Sequence, residues 1–167
     1  QLGRVWKRPV LFPCPTGQRY ATFGEAVLGA FAAVPKDVLA GQIGAMLKKS
    51  KLARFALQLV ADLRLKGAAG ALREYLAKCS KSEDMVDLLS AAAGCGDQKL
   101  LADAVRKALG MKKSGARVYA ATFLWALPNE EALKIAKEIF TSEKDWRVRS
   151  AAAEGLSRLK DKRSVDL

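Results

Sequence analysis

Four lysines recur at a nearly constant interval: Lys49, Lys78, Lys107 and Lys137 are spaced by 29, 29 and 30 residues. An ammonium group on a flexible stem acts as a point charge toward phosphate or carboxylate. A ladder of such groups would therefore suit a phosphodiester strand or an acidic protein segment. Lys112 and Lys113 form a second basic cluster close to Arg117, and Arg147 follows Trp146 directly. An ordinary explanation competes, because a lysine near a helix C-terminus is stabilised by the helix dipole by about 0.3–1 kcal/mol.

Catalytic chemistry has far less to draw on. None of the 167 residues is histidine. That removes His-based acid/base catalysis, Ser-His-Asp and Cys-His nucleophiles, and mixed Cys/His zinc sites. Cys14, Cys79 and Cys95 include no Cys-x-x-Cys pair; Cys79 and Cys95, in Ala-rich stretches, read as small buried hydrophobes. Glu83-Asp84 and Glu130-Glu131 fall at helix starts, where acids complement the macrodipole. Gly67-Ala68-Ala69-Gly70 lacks the lysine spacing and the preceding strand of a phosphate loop. No enzyme, metal or cofactor is expected.

The net charge of +12 is unevenly distributed. Residues 1–54 carry nine basic and two acidic groups; residues 55–110 carry eight and seven. Residues 111–128 add three unopposed basics, and residues 129–167 carry nine and eight. A uniform nucleic-acid groove would need an excess throughout, so the charge points to a basic N-terminal end and at most a thin lysine ladder.

These side chains must be positioned by helices. Residues 1–21 hold Pro9, Pro13 and Pro15 with four basic residues and no acid, which predicts an extended or looped segment. From residue 22 onward Ala and Leu dominate, with the best intrinsic helix propensities. Caps and breakers predict helices over 22–33, 35–49, 51–65, 68–79, 83–93, 98–109, 115–127, 129–140 and 146–159. Thr22 with Glu25 and Ser80 with Glu83 have capping-box spacing; Asp97 and Asp145 read as N-caps. Gly67, Gly94-Cys95-Gly96, Gly110 and Pro128 mark breaks. Alternate helices start near Lys51, Ser82, Gly115 and Trp146, an interval of 31 to 33 residues typical of stacked helical pairs. Trp125, within Tyr119–Trp125, reads as core or as a contact between repeats, and Trp146, just after a cap, as partly exposed.

The segment Asp145-Trp146-Arg147-Val148-Arg149-Ser150-Ala151-Ala152-Ala153-Glu154-Gly155-Leu156-Ser157-Arg158-Leu159-Lys160-Asp161 resembles the HEAT-repeat family, particularly its short bacterial form. It meets the pattern D-x-x-V-R-x-x-A-A-x-A-L-x-x-L-x-D at Asp145, Val148, Arg149, Ala152, Ala153, Leu156, Leu159 and Asp161, with Gly155 in place of alanine. Val148, Ala152, Leu156 and Leu159 make one apolar stripe, and Ala151 to Ala153 permit close helix approach. The earlier units keep only the apolar frame. The resemblance implies that Asp145 caps its helix, that Arg149 lies along the seam between repeats, and that second helices line a concave face that the lysine ladder would share. The family's iron hydroxylases use His-Glu pairs that this chain cannot supply.

The expectation is an all-α α-solenoid of about four to five antiparallel helical pairs over residues 22–167, preceded by a non-helical segment over 1–21. Its expected role is a non-enzymatic scaffold for a protein or peptide, with acidic partners favoured by charge; nucleic-acid binding through a basic concave face is the alternative. The candidate contact residues are Lys49, Lys78, Lys107, Lys137, Lys112, Lys113 and Arg147. No apolar run approaches the ~18 residues that span a bilayer, and an odd cysteine set slightly favours the reducing cytoplasm. The chain begins at Gln1 and stops at Val165-Asp166-Leu167, where a partner helix is due, which suggests a processed protein or a piece of a longer one.

Overall fold

A computed structural model describes residues 23–159, 161 and 163. Several expectations lie outside the described residues: the proline-containing segment 1–21 with Cys14, the Thr22 cap and the end at 164–167. The described residues are all helical, without strands. They comprise α1 (Phe23–Ala32), α2 (Lys36–Leu47), α3 (Ser50–Leu63), α4 (Ala69–Lys78), α5 (Ser82–Cys95), α6 (Gln98–Leu109), α7 (Ser114–Thr122), α8 (Asn129–Ser142) and α9 (Trp146–Ser157). Single 3₁₀ turns at Lys66–Ala68 and Phe123–Ala126 precede α4 and follow α7.

Helices α3, α5, α7 and α9 begin at Ser50, Ser82, Ser114 and Trp146, each 32 residues after the last. The period appears again in packing. Helix α3 packs on α5, α5 on α7 and α7 on α9, while α2 packs on α4 and α4 on α6. Polar contacts follow the same interval: Arg54–Asp87, Arg147–Ser114 and Arg163–Glu130 each join residues 33 apart, and Asn129–Asp161 joins residues 32 apart.

Apolar periodicity explains the burial. In α3, Ala53, Ala56, Leu57 and Val60 fall on one stripe and are buried, while Lys51, Arg54 and Gln58 are exposed. Helix α5 is buried more widely, through Met85, Leu88, Leu89, Ala91, Ala92 and Cys95, because it lies between α3, α6 and α7. Complete removal of one such leucine from water contributes about 1.5–3 kcal/mol. The α9 stripe of Val148, Ala152, Leu156 and Leu159 is buried as its spacing implies; Ala151 is buried too, but Ala153 faces solvent.

The caps divide into those that form and those that do not. Asp97 accepts the Leu100 amide at 2.9 Å, and Asp145 accepts the Arg147 amide at 3.0 Å. The Ser80–Glu83 box is absent, because α5 starts at Ser82 with Lys81 in the cap position and no side-chain cap bond. Gly96 closes α5 in the left-handed region at φ +76°. Gly94, expected with it in the break, is inside α5. A Cβ there would stand 2.7 Å from the Ala61 Cα, so the glycine permits close contact with α3.

Of the two places expected for Trp125, the core is excluded, because the side chain is 47% exposed. The chain tightens from α-helix to 3₁₀ at Phe123, which keeps Leu124 buried and turns the indole outward. Trp146 is exposed as expected. Cys79 and Cys95 are buried free thiols, as read from sequence.

Candidate functional site

The turns entering α3, α5, α7 and α9 carry a recurring set of cations. Lys49, Lys81 and Lys113 occupy the three successive cap positions in extended backbone, each followed by a serine. Neighbouring turns are tied together: Lys113 Nζ lies 3.4 Å from Glu83 Oε1, and Arg147 Nη2 donates to Ser114 Oγ at 3.3 Å. Lys78, Lys81, Lys112 and Lys144 are exposed and make no side-chain ion pair or hydrogen bond among the described residues.

The four lysines of the expected ladder take different positions along the helices that carry them. Their 29–30-residue spacing slips by a few residues at every 32-residue step. Lys49 consequently precedes α3, Lys78 ends α4, Lys107 lies in the last turn of α6, and Lys137 sits inside α8 rather than at its end. Lys107 is also occupied. Its ammonium donates to the carbonyls of Leu76 and Ala77, the latter at 3.1 Å, at the α4 C-terminus, where the Leu76 carbonyl also accepts the Cys79 amide at 3.2 Å. Lys49, Lys81 and Lys113 instead recur at equivalent N-cap positions, 32 residues apart, and Lys112, Lys144 and Arg147 lie in or beside the last two turns, those entering α7 and α9. Lys81 and Lys144 were missed, although the Lys-Ser pairs at 49–50, 81–82 and 113–114 repeat at the helix period.

Arg117 and Arg149 shape the last two turns. Arg117 Nη1 donates to Met111 O at 3.0 Å and Lys112 O at 2.9 Å; Arg149 Nη1 donates to Glu143 O at 2.8 Å and Lys144 O at 3.1 Å. Arg149 thus closes the turn before its own helix. Arg117 also reaches Glu143 at 3.1 Å and Asp145 at 3.9 Å, joining the two turns. Held to both turns in this way, Arg117 is a brace. Arg147 holds Asp145 through Nε and Nη2 at 3.0 and 2.9 Å, and this hydrogen bonding, with the helix amide, keeps the Asp145 carboxyl below the usual carboxylate range. Glu83 is lowered by its own backbone amide first and by Lys113 second.

Between these turns lies a cleft of about 610 Å³. Half-buried Leu109 and Met111 form its apolar wall over Ile135 and Ile139, and Lys112 and Lys144 stand on its rim. An aliphatic side chain with acidic neighbours fits this combination. Among the described residues no group of three or more His, Cys, Asp or Glu side chains could hold a metal ion. No described helix is long and apolar enough to cross a membrane. No family model, curated protein or solved structure matches the chain.

Proposed function

We propose that this chain is a non-enzymatic, HEAT-like α-solenoid whose turn edge binds an acidic segment of another protein or of its own parent chain. The carrying observation is the set of unpaired lysines, Lys78, Lys81, Lys112 and Lys144, gathered at consecutive turns while the nearby Asp145 and Glu143 carboxylates are held by arginines. The 32-residue recurrence of helix starts and helix-to-helix contacts supports the stacked-pair reading, in which such turns extend along one edge.

Nucleic acid is the second reading, favoured by Trp146, which is 68% exposed beside Lys144 and Arg147 and could stack a base. Against a continuous phosphate strand, Glu83, Glu138 and Asp145 interrupt the cations. Discrete carboxylates on a peptide can be spaced around those acids; phosphates at a fixed interval cannot.

The test titrates the protein with a Glu/Asp-rich peptide and, separately, with an oligo-dT strand, using Trp fluorescence over a series of salt concentrations. Peptide binding that weakens with salt and is lost in the Lys112→Glu/Lys144→Glu double variant supports the reading. Tighter oligo-dT binding, with log affinity falling linearly with log salt, transfers the function to nucleic acid. A substrate turnover abolished by one carboxylate substitution would end the non-enzymatic reading.

A further inference from the structure

We infer that the cleft between the turn entering α7 and the turn entering α9 is an anchor pocket for one aliphatic side chain of an acidic peptide. This inference rests on the acidic-partner reading and adds a site and a sequence requirement to it.

The argument begins with what the turns do. Arg117 is 19% exposed at its side chain and braces both turns, to Met111 and Lys112 on one side and to Glu143 and Asp145 on the other. The opening is therefore held by a fixed guanidinium, and binding there does not require the turns to be ordered first. Glu143 opposes the guanidinium charge at 3.1 Å, so Arg117 offers a ligand less charge than the unpaired lysines do.

The wall and rim then divide the recognition. Leu109 and Met111 expose part of their apolar surface above buried Ile135 and Ile139, which gives an aliphatic group a dry contact on one side. Methionine adapts its shape to unlike partners, which suits leucine, isoleucine or methionine equally. Lys112 and Lys144, one from each turn, stand at the mouth without partners. Glu138 and Glu143 line the same cleft and disfavour an acidic group inside it. The carboxylates of a ligand thus belong outside, on the lysines, and its apolar side chain within. An acidic peptide with one central aliphatic residue satisfies both; a bare polyanion satisfies only the rim.

The experiment uses the intact chain and two synthetic acidic peptides, identical except that a central leucine is replaced by serine in the second. Affinities are read by calorimetry, with oligo-dT as a third ligand. The leucine peptide should bind at least tenfold more tightly than the serine peptide. Met111→Glu should remove that preference, and circular dichroism and the thermal midpoint report whether the variant is folded. Because Met111 is half-buried, Lys112→Glu/Lys144→Glu serves as the second variant; both side chains are exposed, and it should weaken both peptides tenfold or more. Equal affinity for the two peptides, or a leucine preference that persists in folded Met111→Glu, overturns the anchor pocket while leaving the acidic-partner reading intact. Binding of oligo-dT with neither peptide bound overturns both.

Discussion

Gly155 lies so close to Ala121 that a Cβ on it would stand 2.6 Å from the Ala121 carbonyl oxygen and 3.2 Å from the Leu124 Cβ. Residue 155 is where the HEAT-like pattern has alanine, and contact between α9 and α7 explains the departure. The two helices approach at backbone distance, which only a missing side chain permits. Gly94 and Ala61 have the same relation between α5 and α3. Each glycine costs its helix roughly 1 kcal/mol of propensity relative to alanine, and the closer packing offsets that loss.

Gly155→Ala and Gly94→Ala should therefore each destabilise the fold by about 1–3 kcal/mol, since backbone atoms cannot yield as a flexible side chain would. Gly41 is an interior glycine of α2, and a Cβ added to it would meet nothing within 4 Å. Gly41→Ala should instead stabilise by about 0.5–1 kcal/mol. Urea unfolding of the three variants checks the signs. A Gly155→Ala protein as stable as the parent would show that α7 and α9 do not meet at backbone distance.

Lys107 should behave as a structural residue. Lys107→Met keeps the apolar stem but removes the donors to the Leu76 and Ala77 carbonyls, with a cost of about 0.5–1.5 kcal/mol. Its effect on the affinity of an acidic peptide should be small. Lys112→Glu/Lys144→Glu should show the reverse, with stability within about 0.5 kcal/mol of the parent and binding lost. Paired unfolding and calorimetric titrations separate the two. Equal binding losses in both variants would return Lys107 to the binding surface.

Legibility in the sequence followed the range of each interaction. The helices were readable because apolar period, Asp97 and Asp145 are local signals, and all nine described helices lie where those signals put them. Gly94 and Gly96 look alike in sequence; only the approach of Ala61, 33 residues away, places one inside the helix. The Ser80–Glu83 spacing fits a capping box, yet α5 starts later, and Glu83 is drawn toward Lys113 in the next turn. Lys107 seemed available because its carbonyl partners are 30 and 31 residues distant. The four ladder lysines drift along their helices for a countable reason, since a 29-residue interval does not keep phase with a 32-residue period. The cleft had no signature, because its wall combines α6, α8 and two turns.

Acid should weaken the fold through aspartates held by amides and arginines. Asp97 is held below the usual carboxylate range, first by the Leu100 amide and also by Arg73, and Asp161 is lowered to about 2, chiefly by Arg163. A carboxylate depressed in the folded state contributes stability above its unfolded pKa of about 3.9. That contribution is lost as the pH falls through the folded value. Stability should therefore drop between about pH 4 and pH 2. Asp97→Asn keeps a good N-cap while removing one titration, so its unfolding free energy should fall less steeply over that range. Urea midpoints across the acid range test this, and an unchanged slope in Asp97→Asn would separate Asp97 from the acid response.

The two described cysteines should be silent toward thiol reagents in the native protein. Burial raises both thiols, the dominant effect at Cys79 and at Cys95 alike, and leaves less of the reactive thiolate. Geometry acts in the same direction: Cys95 Sγ donates to the Lys66 carbonyl at 3.3 Å, and Cys79 lies beneath the turn that carries Lys81. Modification then requires local opening of the ends of α4 or α5. Iodoacetamide at mildly alkaline pH, with mass-spectrometric mapping, should label both sites at least about tenfold more slowly in native protein than in urea. Cys79 labelled at the rate of a free thiol would mean that the turn entering α5 opens readily. It would then be a mobile support for Lys81, at odds with a preformed lysine edge.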